Sequence, residues 1–272
     1  MKGFVSTPQS RTTLAEVLDS KNLIKEFIRR DFNVRYKQTS LGILWAIINP
    51  GVNILLYLFV FGLLVKVPTP EYNAPYAAVL ISGILFWNLF ATSMMAASDA
   101  IINNMHLLTK VYFPRISLCI ASVFVAFIDF VIAFVVFIPL AIFYGVHFDF
   151  SRIFFLIPCI VITLMLGCGV GCFMAILKLR FRDLRHVLPL ATQALFFASP
   201  VVYTLTIVPK EFHQYYSFNP MTGIVALSRW ALLGGNSIDV TTLLYSFITA
   251  IVLVIFGVYY FIKNDRLIAD YE

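Results

Sequence analysis

Residues 30–50 read RDFNVRYKQTSLGILWAIINP. Arg30, Arg35 and Lys37 stand directly before an apolar run with a proline, Pro50, inside it. Bases that stop where hydrocarbon-like sequence begins are the pattern of a chain entering a bilayer, with the positive charge held on the side where synthesis takes place. Composition agrees. Of 272 residues, 60% are hydrophobic and only 12% charged, more apolar surface than a water-soluble domain can bury. The net charge of +6 does not indicate nucleic acid, because the bases fall between apolar runs rather than along one basic face. Cys119, Cys159, Cys168 and Cys172 all lie inside apolar segments, which indicates neither a disulfide framework nor a zinc site.

A hydrocarbon layer about 30 Å thick requires roughly 20 apolar helical residues. Six stretches are expected to meet this: 41–65, 76–97, 116–144, 154–177, 187–203 and 243–262. The fifth is the weakest, being short and carrying Pro189 and Pro200. It runs on into a semi-polar region expected to hold two short helices, starting near Pro209 and Pro220, that dip into the outer leaflet or cap it. Sixteen of the twenty Lys and Arg residues fall on one side of this arrangement, so both termini are expected in the cytoplasm. Residues 1–40 show no cleavable signal, and the first span is expected to act as the targeting signal. Leu14, Val17, Leu18, Ile24, Phe27 and Ile28 recur at helical spacing opposite Glu16, Asp19, Glu26 and Arg29, which predicts an amphipathic helix lying in the interface. The expected fold is therefore an all-α integral membrane protein. It has an N-terminal segment at 1–40, a six-helix membrane domain at 41–265 and a tail at 266–272.

Catalytic signatures are missing from the sequence. It contains no G-x-x-x-x-G-K-[ST] phosphate loop. His106, His147, His186 and His213 are scattered without metal-ligand spacing, and no loop pairs carboxylates for glycosyl chemistry. The glycine cluster LGCGVGC at 166–172 lies within a span, where small residues let helices approach.

Polar residues inside spans carry more information. Trp45, Asn49, Asn53 and Tyr57 follow one another at i, i+4, which puts them on one face of the first helix. Gln193, Phe196, Phe197 and Tyr203 form a similar mixture in the fifth. Two readings stand for these faces, amides bonding between helices or the lining of a translocation path. Asp129 lies near the centre of the third span, where a charge costs about 2.5–3.5 kcal/mol on insertion scales. It is either functional or a paired structural acid. The loop AIINNMHLLTKVYFPRISL at 100–118 is expected to form a short helix over 100–108 and then a proline-fixed corner.

RDFNVRYKQTSLGILWAIINP, LLTKVYFPRI at 107–116, FRDLRHVLPLATQALFFASPVVY at 181–203 and NPMTGIVALSRWALLGG at 219–235 resemble, in order and spacing, the characteristic segments of ABC-2 type permeases. The branch they resemble exports polysaccharides and includes the membrane subunits of O-antigen, capsule and teichoic-acid exporters. The resemblance implies six spans, a homodimer, and two copies of a separate P-loop ATPase that carries the ATP and magnesium, with no cofactor in this chain. It implies a coupling helix at 100–115, which makes Asn104, His106, Lys110, Tyr112 and Arg115 candidate ATPase contacts, with Arg182 and Asp183 nearby. It also implies a channel lined by spans one and five, and short outer-face helices at its exit. The substrate implied is a lipid-linked polysaccharide moved out of the cytoplasm across the inner membrane, with a small lipid or drug as the alternative. Its anionic diphosphate head would be drawn to Arg30, Arg35 and Lys37, which serve equally as an anchor for anionic membrane lipid.

Overall fold

The computed structural model describes residues 16, 19–37, 40–72, 74–108, 110, 113–143, 146, 150–235 and 239–265. Among the described residues every regular element is a helix. Gly42–Leu64, Tyr76–Asn103, Ile116–Phe143, Ser151–Arg180 and Val240–Lys263 are each long and apolar enough to cross a bilayer. The chain is thus an all-α, multi-pass membrane protein.

The N-terminal helix α1 is Lys21–Lys37. It reaches further along the chain than the hydrophobic repeat at 14–28 implied, so the bases of the opening stretch are helical rather than part of a linker; Leu14, Val17 and Leu18 lie outside the described residues. Its apolar side is buried through Phe27 and Tyr36, and Phe27 packs on Phe113 with ring centroids 5.3 Å apart.

The first span has three windings: a tight 3₁₀ turn at Gly42–Leu44, an α-helix α2 at Trp45–Tyr57, and a wide π-helical stretch at Leu58–Leu64. Pro50 offers no N–H to the carbonyl four residues back, yet the helix runs through it. The winding changes at Leu58 instead. None of the large apolar residues Val52, Leu55, Leu56, Phe59, Leu63 and Leu64 is covered within this chain.

The centre of the bundle is α3, Tyr76–Asn103, buried along nearly its whole length. After a break at Asn104 comes the four-residue helix α4, Met105–Leu108. The short helix expected over 100–108 is therefore mostly the end of a span, and only its last turn stands apart. Next come α5 (Ile116–Phe143), the short α6 (Phe150–Ile153) and α7 (Leu156–Arg180).

Glycines set the distance between α7 and its neighbours. A Cβ at Gly167 would lie 2.6 Å from Ser93 Cβ, and one at Gly171 would lie 2.5 Å from Ala97 Cβ, so this pair seats α7 on α3. Gly169, on another face of α7, meets the last helix, α11 (Val240–Lys263), where a Cβ on Gly257 would fall 2.0 Å from the Gly169 carbonyl oxygen. Both atoms are backbone-fixed, so the helices must separate to accept a methyl group. Gly257→Ala is expected to destabilise the protein by about 2 kcal/mol, at the middle of the overpacking range. A loss of monodisperse protein after detergent extraction would show this, and wild-type yield and melting temperature would contradict it.

The stretch expected as a fifth span is α8, Leu184–Ala198. Its 15 residues rise only about 22 Å at 1.5 Å each, less than the thickness of a bilayer core. The chain then turns through 199–204 rather than continuing as helix. Two short helical elements follow at the expected places in the chain. Lys210–Phe212 runs into α9 (His213–Ser217), and α10 spans Pro220–Leu233. Asn219 caps α10 by accepting from the Met221 N–H, with Pro220 at the first helical position and Gly234, at φ 73°, ending it, as capping rules favour.

One side chain holds this end together. Arg229 of α10 is 2% exposed. Its Nε donates to the Val79 carbonyl at 3.1 Å, its Nη1 to those of Pro200 and Tyr203 at 2.9 and 3.0 Å, and its Nη2 to that of Val201. The turn after α8 is thereby fastened to both α3 and α10. At the opposite end, Lys178 of α7, 1% exposed, donates to Asp99 at 2.6 Å and to Ser98 at 2.8 Å.

Candidate functional site: adjoining cavities along the first span

Polar side chains from four elements converge beside the first span. α1 contributes Arg35 and Tyr36, α2 contributes Trp45, Asn49 and Asn53, and α3 contributes Asn88 and Thr92. Asp129 projects from α5. Together they line a cavity of about 480 Å³. Arg35 Nη1 donates to Asp129 Oδ2 and the Tyr36 hydroxyl donates to Oδ1, so the acid in the third apolar segment is paired from α1. The Tyr36 hydroxyl is held well above its ordinary range, first by burial and then by its bond to the carboxylate, which keeps it a donor.

Two further cavities adjoin this one. On the α1 side lies a space of about 680 Å³, bordered by Arg30, Asp31, Asp99, Asn104 and His106. Arg35 and Thr92 border it too, and they are the two residues it shares with the first cavity. Beyond Asn53 and Asn88, which also line the first, is a third cavity of about 340 Å³ formed with Tyr57, Gln193 and Phe196. Phe196 is buried, stacked on Tyr57 (centroids 4.9 Å) and edge-on to Trp87 (5.6 Å), closing that end with aromatic rings.

The residues expected along a path thus divide. Trp45, Asn49, Asn53, Tyr57, Gln193 and Phe196 fall on this chain of cavities. Phe197 is exposed on α8, outside the lining of these cavities. Tyr203 is engaged in the turn, its hydroxyl donating to the Phe197 carbonyl at 2.9 Å and bonded to the Tyr216 hydroxyl at 2.9 Å. Of the three bases, Arg30 and Arg35 border the cavities, whereas Lys37 lies exposed at the end of α1, outside their lining.

The residues expected to meet an ATPase divide as well. His106, Lys110, Arg182 and Asp183 are exposed. Asn104 is not: it is 8% exposed, accepts from Arg30 Nη2 at 2.7 Å and donates to the Ala100 carbonyl at 2.8 Å, so it forms the break between α3 and α4. Arg115 reaches inward to the Asp265 carbonyl at 2.8 Å. Tyr112 lies outside the described residues.

Sequence reasoning missed Tyr36, Asn88 and Thr92. Asn88, an amide midway along an apolar span, carried a usable signal; Tyr36 and Thr92 had none, because interfacial tyrosines and span threonines are common.

An all-helical membrane domain with a chain of hydrogen-bonding cavities beside its first span is the architecture of a transport protein's membrane subunit. The chain belongs to the ABC-2 type transporter family, whose pattern matches residues 22–233. It is 28% identical over 244 residues to the O-antigen export system permease protein RfbA of Klebsiella pneumoniae, covering 89% of this chain and 92% of that one. It is 24% identical over 237 residues to the polysialic acid transport protein KpsM of Escherichia coli (87% and 91% covered). A further RfbA, from Myxococcus xanthus, is 28% identical over 212 residues (77% and 80% covered).

Proposed function

We propose that this chain is the permease subunit of an ATP-driven exporter that moves a lipid-linked polysaccharide from the cytoplasmic to the outer face of the inner membrane. The observation that carries the reading is the line of three adjoining cavities from Arg30 and Arg35 to Tyr57, Gln193 and Phe196. Amides, hydroxyls and aromatic faces are the groups that hold sugar rings without binding them tightly. Kinship with permeases named for O-antigen and polysialic acid supports a glycan over a small lipid or drug.

In this reading α8 and the turn after it complete a sixth crossing, and both termini are cytoplasmic. A second copy of the chain covers the exposed faces of the first span and α8 and walls the open side of the cavities. Two copies of a separate ATPase dock at α4 and at the turn before α8, through His106, Lys110, Arg182 and Asp183, and supply the hydrolysis. Arg30 and Arg35 meet the diphosphate of the lipid carrier.

Depleting the protein in its own cells is expected to accumulate lipid-linked glycan on the cytoplasmic leaflet, with synthesis intact. Export continuing at the normal rate would remove the proposal. If a teichoic acid or capsule chain accumulates instead of an O-antigen, the mechanism stands and the substrate is reassigned.

A further inference from the structure

Arg35 borders both the large cavity on the α1 side and the cavity beneath it, so its ion pair with Asp129 stands in the wall between them. We propose that Asp129 is the internal occupant of an anion seat made by Arg35 and Tyr36. It keeps that wall closed until a phosphate-bearing headgroup takes its place. The inference rests on the export reading above and adds the step that admits the substrate.

Four observations support it. Two neighbouring side chains of α1 donate to the two different oxygens of one carboxylate, an arrangement that suits a phosphate equally well, since a guanidinium engages either anion with the same geometry. Among the described residues, Arg35 and Asp129 are also the only charged side chains lining the 480 Å³ cavity. Their charges cancel within the lining, and Arg35 is the base there that an arriving anion can engage.

Accessibility favours the same direction of exchange. The Arg35 side chain is 45% exposed and that of Asp129 19%, so an arriving anion meets the base before the acid. The amides of Asn49, Asn53 and Asn88 line the same cavity and can donate to the carboxylate left behind. Finally, the two partners stand on different elements, Asp129 within the long helix α5 and Arg35 in the last turn of α1. The same helix is tied through Arg30 to Asn104 at the start of α4. A movement of that loop therefore pulls on the element that carries the seat. An anion shifts this equilibrium only because it binds the freed seat and not the occupied one.

The test uses the full-length chain with its ATPase in inside-out membrane vesicles, carrying Asn49→Cys as a reporter in the inner cavity. The chain without that substitution serves as the control for the four native thiols. A charged, membrane-impermeant thiol reagent is added on the α1 side. Asp129→Asn is expected to raise the labelling rate about tenfold, within the range by which coupled sites influence one another. Millimolar inorganic diphosphate is expected to raise it similarly in the otherwise wild-type protein and to add little in Asp129→Asn. Tyr36→Phe, which removes one donor and keeps the charge pair, gives an intermediate rate and serves if Asp129→Asn fails to fold.

Labelling that ignores diphosphate overturns the proposal, as does labelling unchanged by both substitutions. The charge-swapped protein, Arg35→Asp with Asp129→Arg, separates a gate from a clasp. Restoration of both folded yield and glycan export by the swap would make the pair a structural clasp only. Failure here leaves the export reading untouched, because that reading falls only if depletion causes no glycan to accumulate.

Discussion

Arg229→Ala is expected to be the most damaging single side-chain truncation in the chain. The guanidinium satisfies four carbonyls, those of Val79, Pro200, Val201 and Tyr203, at a point where it is 2% exposed. Each buried acceptor left without a donor costs about 1–3 kcal/mol, so four orphaned together are expected to cost about 4 kcal/mol or more. That is a large share of a total stability of about 5–15 kcal/mol. Lysine does not substitute, because three donors on a flexible stem cannot serve four acceptors arranged around a planar fork. The space is also committed, since a Cβ on Gly83 would lie 2.6 Å from Arg229 Nη2 and 2.6 Å from the Val201 carbonyl oxygen. Thermal unfolding in detergent should show a large drop for Arg229→Ala and a comparable one for Arg229→Lys. A wild-type melting temperature in either variant would mean that water reaches these carbonyls and that the arginine is not their essential donor.

The second large effect is asymmetric. Lys178 is 1% exposed and its partner Asp99 37%. Asp99→Ala leaves a buried ammonium with only the Ser98 hydroxyl and is expected to cost about 3–5 kcal/mol, the loss typical of breaking a buried pair. Lys178→Met keeps an apolar stem of similar length in the core and leaves Asp99 within reach of water. The expected cost is about 1 kcal/mol, as for an exposed pair. Combining both substitutions should recover most of the loss caused by Asp99→Ala alone. A denaturation cycle over the four proteins measures this coupling. Equal damage from the two single changes would show that shape, not the stranded charge, governs this contact.

Both sites illustrate what a linear reading could and could not reach. Arg229 looked like one of four bases on the sparsely charged side, an ordinary topology marker. Its role came from carbonyls contributed by residue 79 and by the turn 200–203, which no local pattern connects. The glycine run at 166–172, by contrast, was readable as a packing surface, because small residues at i, i+4 make a flat strip on any helix. The structure added that the strip serves two neighbours, α3 through Gly167 and Gly171 and α11 through Gly169. The proposed path was legible to a similar degree. Asn49 and Asn53 were expected on one face because helical periodicity is a local property, and they do line one cavity. Phe197 and Tyr203 shared the reasoning but not the outcome: the helix ends at Ala198 and the turn swings Tyr203 onto Tyr216.

The sequence by itself determined the class of protein. A bilayer acts on each segment independently through length and apolarity, and the excess of bases on one side follows from the same local chemistry. Five of the apolar runs became helices of spanning length, and the N-terminal helix and the two short helices after α8 fell close to their expected positions in the chain. Only the tertiary structure decided how the opening stretch is used. Arg35 and Asp129 are 94 residues apart in the chain, and whether an intramembrane acid is paired depends on which helices pack together, a global property absent from any window of sequence. Packing also turned Asn104 inward, onto Arg30 of α1, a neighbour 74 residues away in the chain.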